Sequence, residues 1–118
     1  MGDPGRPAWV YQLDFPATLS NGRSGAFHTA DIALVFDNVA RSEAHGPGAQ
    51  AVSNAMADAF IALARNGNPN HAGLPEWTPY GLGNRETMLF DVNSRMANDP
   101  RGDEREFFAR IPYIQPGT

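Results

Sequence analysis

A chain of 118 residues fits one domain and leaves no room for two. The hydrophobic fraction of 42% is that of an ordinary globular protein, and a formal charge of −4 argues against nucleic acid or an anionic membrane as a partner. Cysteine is absent, which excludes disulfides, thiolate metal sites and a cysteine nucleophile, and no apolar run approaches the ~20 residues needed to span a bilayer.

Residues 1–7 are Gly, Pro and charge; they read as a flexible lead-in without the apolar core of a signal peptide, so nothing assigns a compartment. Residues 8–15, AWVYQLDF, follow as a strand: Trp9, Tyr11, Leu13 and Phe15 alternate with Val10, Gln12 and Asp14, and Pro16 ends the run. PATLSNGRSG is a loop of turn formers with His28 just beyond it. Residues 30–36, ADIALVF, fit a strand or a short helix by periodicity alone; Thr29 as N-cap and Asp31 in the first turn favour the helix. ARSEAHGPG is a second loop.

Residues 49–66 are the clearest element. Val52, Met56, Phe60 and Leu63 share one helical face, seven alanines raise the intrinsic propensity, and Gly67 with Pro69 supplies the stop. NPNHAGLPEWTPYGLGN is a long loop anchored by Leu74, Trp77 and Tyr80, and ETMLFDV is a short strand. The last segment, NDPRGDEREFFARI, predicts a terminal helix with Asp99 as N-cap, Pro100 at the first helical position, and Phe107 and Phe108 as its buried end.

Three ordered stretches carry a family likeness. GAFH at 25–28 is followed by an acid three residues later and an apolar run ending VFDN; WVYQLDF lies upstream, and FIALARNGNPN and LPEWTPY lie downstream. From about Ala8 to about Phe108 the chain resembles the C-terminal end of type B carboxylesterases, the serine esterases that include the cholinesterases. The resemblance implies an α/β chain, the C-terminal part of an α/β-hydrolase fold. It would comprise a late sheet strand, a catalytic-histidine loop, a long helix, a short strand and a terminal helix, with residues 1–118 as one segment of that domain. It also implies that His28 is the general base of a Ser-His-acid triad. Histidine suits that work because its unperturbed pKa lies near neutrality, and in α/β-hydrolases it comes last in chain order.

Nothing in this sequence supplies the rest of the triad. Ser24 lies in GRSGA, which lacks the second glycine of G-x-S-x-G, and Ser20, Ser42, Ser53 and Ser94 lack the motif too. No HGGG-type oxyanion segment occurs. A local triad of Ser24, His28 and Asp31 is rejected, because such close neighbours cannot easily flank both imidazole nitrogens; Asp31 is expected to cap or anchor the short helix. His45 and His71 lie in Gly- and Pro-rich loops, and their spacing with His28 resembles no ligand pattern, so no metal and no cofactor are expected. The partners expected are the N-terminal remainder of the esterase, in the same or a companion chain, and a small ester in the whole enzyme. A second reading is a non-catalytic module that self-associates or pairs with an N-terminal companion, because a strand taken from a parallel sheet has uncovered edges.

Overall fold

The computed structural model describes residues 5–19, 21–42 and 44–116. Residues 1–4 of the expected lead-in, Ser20, and the side chain of His45 lie outside what it describes. In chain order the elements are β1 (Val10–Leu13), β2 (Ala17–Leu19), β3 (Ser24–Gly25), α1 (Ala30–Val35), β4 (Ala44–His45), α2 (Ala49–Asn66), β5 (Glu86–Phe90), β6 (Arg95–Asn98) and α3 (Gly102–Phe108). They make an α/β chain with one mixed three-stranded sheet in the order β1-β5-β6 and a small antiparallel sheet in the order β3-β2-β4.

β5 is the central strand because its sequence tolerates burial on both faces. Thr87, Met88, Leu89 and Phe90 are all buried, the continuous pattern of a strand covered on both sides. It pairs in parallel with β1, Tyr11 opposite Met88 and Leu13 opposite Phe90. It pairs antiparallel with β6. The turn between β5 and β6 closes through Ser94, whose hydroxyl donates to the Asp91 carbonyl at 3.1 Å. β6 escaped the sequence reading because RMAN is short and only half-buried, and its pairing with β5 decides it.

α2 packs across the sheet, with its ends as the sequence predicts. Gly67 adopts a left-handed conformation (φ 71°) and its amide reaches the Leu63 carbonyl at 2.8 Å, closing the helix. The predicted face divides in two. Val52 and Met56 are fully buried, whereas Phe60 and Leu63 stay 39% and 40% exposed, because that end of the helix runs past the edge strand β1. Between helix and sheet, Tyr11 stacks edge-on against Phe60, Trp77 and Phe90 with ring centroids 6.1, 6.5 and 5.6 Å away. Trp77, the buried anchor of the long loop, is itself edge-on to Phe90. Leu74 and Tyr80 anchor the same loop half-buried, and the Tyr80 amide donates to the Ala8 carbonyl just before β1.

Other expectations need correction. PATLSNGRSG is not a featureless loop: Asn21 and Gly22 form the turn of a hairpin, Leu19 and Arg23 share a backbone hydrogen bond, and β2 also pairs with β4. Thr29 occupies the N-cap position of α1, yet its side chain caps no amide; its hydroxyl donates to the His28 carbonyl instead. α3 begins at Gly102 rather than at Pro100. Asp99 binds Arg105 with both carboxylate oxygens (3.1 and 2.8 Å), which holds its carboxyl below the ordinary carboxylate range, in place of capping the helix. Phe107 and Phe108 are exposed and pack edge-on against each other at 5.4 Å.

The whole molecule is open. Its radius of gyration is 15.8 Å, against roughly 13.5 Å for a compact domain of this length. Its surface is 8226 Å², about 1,900 Å² above the roughly 6,300 Å² of a self-contained monomer of this mass. Part of the uncovered apolar area lies beside Tyr11 of β1, at Ile32, Phe36, Phe60, Ile61 and Leu63.

Gly48, at the start of α2, gives a direct test of this packing. It has φ 86°, and a Cβ there would lie 2.6 Å from a Val92 methyl group in the β5–β6 turn. Gly67 has a similar φ but open space around it. Each change to Ala should cost about 1 kcal/mol in conformation, with an added steric cost at Gly48 alone. Denaturant unfolding should therefore rank Gly48→Ala below Gly67→Ala, and adding Val92→Ala should recover the steric share only.

Candidate active site around His28

His28 lies in the connection that follows the C-terminal end of β1, between β3 and α1. Its side chain is exposed, and no described residue hydrogen-bonds its imidazole. The backbone beside it is constrained. Thr29 has φ 69°, in the left-handed region that a β-branched residue rarely enters, so the chain turns sharply between the imidazole and the helix. Phe27 and Thr29 flank His28 and also line an open hollow of about 510 Å³, walled by Leu19, Ala30, Ile32 and Phe36.

α1 has only six residues, so its placement comes from tertiary attachments. In its first turn Asp31 accepts a hydrogen bond from the Tyr11 phenol at 2.9 Å. In its last turn the buried Leu34 carbonyl accepts one from Ser53 Oγ on α2 at 2.7 Å. Beyond it Asp37, again with positive φ, accepts from Gln50 at 2.8 Å. Asp31 thus anchors the short helix, as expected, but to β1 rather than by capping. Burial and the neighbouring Asp31 carboxylate push the Tyr11 phenol from 10.0 to about 12.

The structure gives no support to a local triad. Ser24 sits in the β2–β3 hairpin and Asp31 is committed to Tyr11; neither contacts His28 through a described hydrogen bond. His71 is a structural histidine, half-buried rather than exposed. Its Nε2 lies 3.0 Å from the Ala55 carbonyl on α2, and its Nδ1 accepts from the Gly73 amide at 3.1 Å. That pattern fixes the Nε2–H tautomer. Among the described residues no three His, Asp or Glu side chains gather as a metal site. The residue that sequence reasoning missed is Tyr11. Its partner is twenty residues away, and nothing in a strand pattern says which alternate side chain carries a functional contact.

With this geometry in place, likeness to known proteins decides the family. The model of the Carboxylesterase family matches residues 1–108. The chain belongs to the carboxylesterase family. Among its relatives are the para-nitrobenzyl esterase of Bacillus subtilis, 28% identical over 106 residues, and the phenmedipham hydrolase of Pseudarthrobacter oxydans, 34% identical over 102 residues. They match 85% and 80% of this chain, and the chain spans only 21% of each of them. Solved structures agree in shape. An esterase from Clostridium hathewayi superposes with a TM-score of 0.78 at 22% identity, over 92% of this chain and 22% of its own. A thermophilic PNB esterase gives 0.72 at 26% identity, over 85% of this chain and 21% of its own. The fold is therefore that of the α/β-hydrolase esterases, with a mixed sheet and helices, and the chain spans about a fifth of their length.

The Tyr11–Asp31 contact has a measurable pH signature. The folded state holds the phenolic proton more tightly than the unfolded one, so the stability it contributes is intact below pH 10.0 and lost as pH rises through about 12. A tyrosinate absorbance titration of the folded chain should show one phenol ionising only near pH 12, and Asp31→Asn should bring that step partly down, leaving the share due to burial. Complete ionisation of all three tyrosines in the ordinary range would contradict this contact.

Proposed function

We propose that residues 1–118 are the C-terminal segment of a serine carboxylesterase, with His28 as its general base. The reading rests on one observation above others: within the family match at residues 1–108, His28 follows the parallel strand β1 and carries no structural partner among the described residues. In open α/β sheets the reacting groups gather beyond the carboxyl ends of the strands, and His28 lies in such a connection. In the whole enzyme the hydroxyl of a serine on the remaining chain attacks the ester carbonyl, and His28 takes its proton. The imidazolium returns that proton to the departing alcohol, leaving an acyl-enzyme. Water then repeats the cycle with the same base and releases the acid. The nucleophile, the oxyanion donors and the triad acid belong to the N-terminal remainder, whether joined to this chain or a companion to it. No cofactor or metal enters the scheme, and the substrate class is a small carboxylic ester.

The surface supports that incompleteness. An excess of about 1,900 Å² on one chain is more than the roughly 800 Å² that each partner gives to a standard interface, and exposed apolar side chains line hollows beside Tyr11 of the edge strand β1. The same edge favours a second reading, in which the chain is a non-catalytic module that covers β1 with its own copy. Sedimentation at micromolar concentration separates the two. Under the first reading, adding the N-terminal remainder converts any self-associated chain into a one-to-one complex with esterase activity. Under the second, the self-associated form persists and stays inactive.

Two measurements test the catalytic reading. The isolated chain should turn over a short-chain aryl ester no faster than free imidazole; saturable turnover abolished by His28→Ala would mean that a local serine is the nucleophile. In the complete enzyme, His28→Ala should lower kcat by ~10⁴ or more while leaving the unfolding transition in place. Near wild-type turnover in that variant refutes the base assignment.

A further inference from the structure

We propose that Tyr11 is a positioning residue for His28: by holding Asp31, its phenol pins the first turn of α1 to β1 and thereby fixes where the imidazole can lie. The inference rests on the reading of His28 as general base and adds a residue to that site that neither the family likeness nor the sequence pattern singles out.

The mechanical argument starts from the shortness of α1. A helix of six residues has no persistent axis of its own, so its orientation is that of its attachments. There is one near each end: Tyr11 Oη to Asp31 at 2.9 Å, and Ser53 Oγ to the Leu34 carbonyl at 2.7 Å. Burial of Ala30 and Leu34 seats α1 against the core, and the two hydrogen bonds set its rotation and tilt on that seat. The attachments reach different elements, β1 and α2, so together they also fix α1 relative to the packed sheet-and-helix core.

His28 inherits that placement. No described residue holds its ring; it joins α1 through Thr29, and the Ala30 amide donates across the turn to the Phe27 carbonyl at 3.1 Å. Thr29 is in the left-handed region and binds back to the His28 carbonyl, so this joint has little freedom to absorb a tilt of the helix. A rotation of the first turn is therefore passed to the imidazole.

Tyr11 makes a firm post. Its ring is fixed edge-on by Phe60, Trp77 and Phe90, so the hydroxyl cannot follow a helix that moves away. The phenol keeps its proton up to about pH 12 and so remains a donor throughout any working range. Asp31 itself faces an apolar hollow of about 400 Å³ between α1 and α2, lined by Ile32, Val35, Phe36, Phe60 and Ile61. Without the phenol, its carboxylate loses its hydrogen-bond donor beside apolar surface, and turning toward water is the available relief. That turn rotates the first turn of α1 and carries His28 with it.

The test uses the complete enzyme, this chain together with its remainder, and the substitution Tyr11→Phe, which keeps the ring packing and removes only the hydroxyl. A displacement of about 1 Å at a reacting group can cost on the order of 10²-fold in rate, so kcat should fall roughly 10- to 100-fold with KM within about 2-fold. Asp31→Ala should reproduce that loss, and the double variant should be no worse than either single one. Asp31→Asn, which still offers the phenol an acceptor oxygen, should retain most of the wild-type kcat. A second measurement needs no turnover. In the 118-residue chain, Tyr11→Phe should speed amide exchange at residues 28–31 and leave exchange on the Ser53 side of α1 unchanged. Wild-type kcat in Tyr11→Phe, with activity abolished by His28→Ala, overturns the positioning role and leaves the base assignment standing. Retained activity in His28→Ala removes both. Unchanged exchange at residues 28–31 in Tyr11→Phe also overturns the proposal, because the tether would then restrain nothing.

Discussion

The parallel pairing of β1 with β5 is the constraint on which the rest of the molecule depends. It joins Tyr11 to Met88 and Leu13 to Phe90 across more than seventy residues of chain, and everything between is arranged by that closure. α2 covers the pair from one side through Val52 and Met56, and Trp77 fills the gap where the long loop returns toward β5. The aromatic cluster of Tyr11, Phe60, Trp77 and Phe90 sits at this junction. Edge-on aromatic pairs add about 0.5–1.5 kcal/mol each beyond the area they bury, so the cluster rewards the long-range closure that loop entropy opposes. Tyr11 belongs to the sheet, the cluster and the α1 attachment at once. That triple membership links the core to the histidine loop.

The same pairing explains why the chain is lopsided. β5 has a neighbour on each side and is buried from Thr87 to Phe90, whereas among the described residues β1 pairs on one side only. The helix face above it follows suit, buried at Val52 and Met56 and half-exposed at Phe60 and Leu63. A sheet that ends at β1 cannot cover a five-turn helix whose apolar stripe is continuous. The expanded radius and the surplus surface are the global expression of that local mismatch. α3 is a separate case: it is held through its polar side by Asp99 and Arg105, and its aromatic side faces outward.

Polar contacts decide details that burial leaves open. The His71 ring bridges the loop to α2, Asn70 clamps the Trp77 backbone with both ends of its amide, and Ser53 holds α1 from within the core. Each of these side chains lies where a sequence reading sees only a loop residue or a small helix-face residue. His28 differs from His71 in this respect. One histidine is used up in the scaffold and the other is left available, a distinction that chemistry alone cannot draw from two loop histidines in one sequence.

The sequence by itself determined the elements whose signals are local. α2 was legible from its apolar face, its alanines and Gly67, and the strand expected over 8–15 from its alternation, of which Val10–Leu13 pair; periodicity left α1 open between strand and helix, and the family likeness carried by the ordered stretches around His28 helped to favour the helix. Its errors have a common physical origin. β2, β3, β4 and β6 are two to four residues long, too short to show a period-2 pattern: β2–β3 and β5–β6 are local hairpins, and only β4 pairs with a strand well outside a short window of sequence. The start of α3 moved because Asp99 found a side-chain partner in Arg105 stronger than the capping role its position offered, and among the described residues Phe107 and Phe108 have only each other as aromatic partners and lie exposed. Tyr11 read as one apolar residue of a strand. Only the tertiary structure brought its hydroxyl to Asp31, because a hydrogen bond between side chains twenty residues apart is set by the crossing of a strand and a helix and leaves no periodic trace in the sequence.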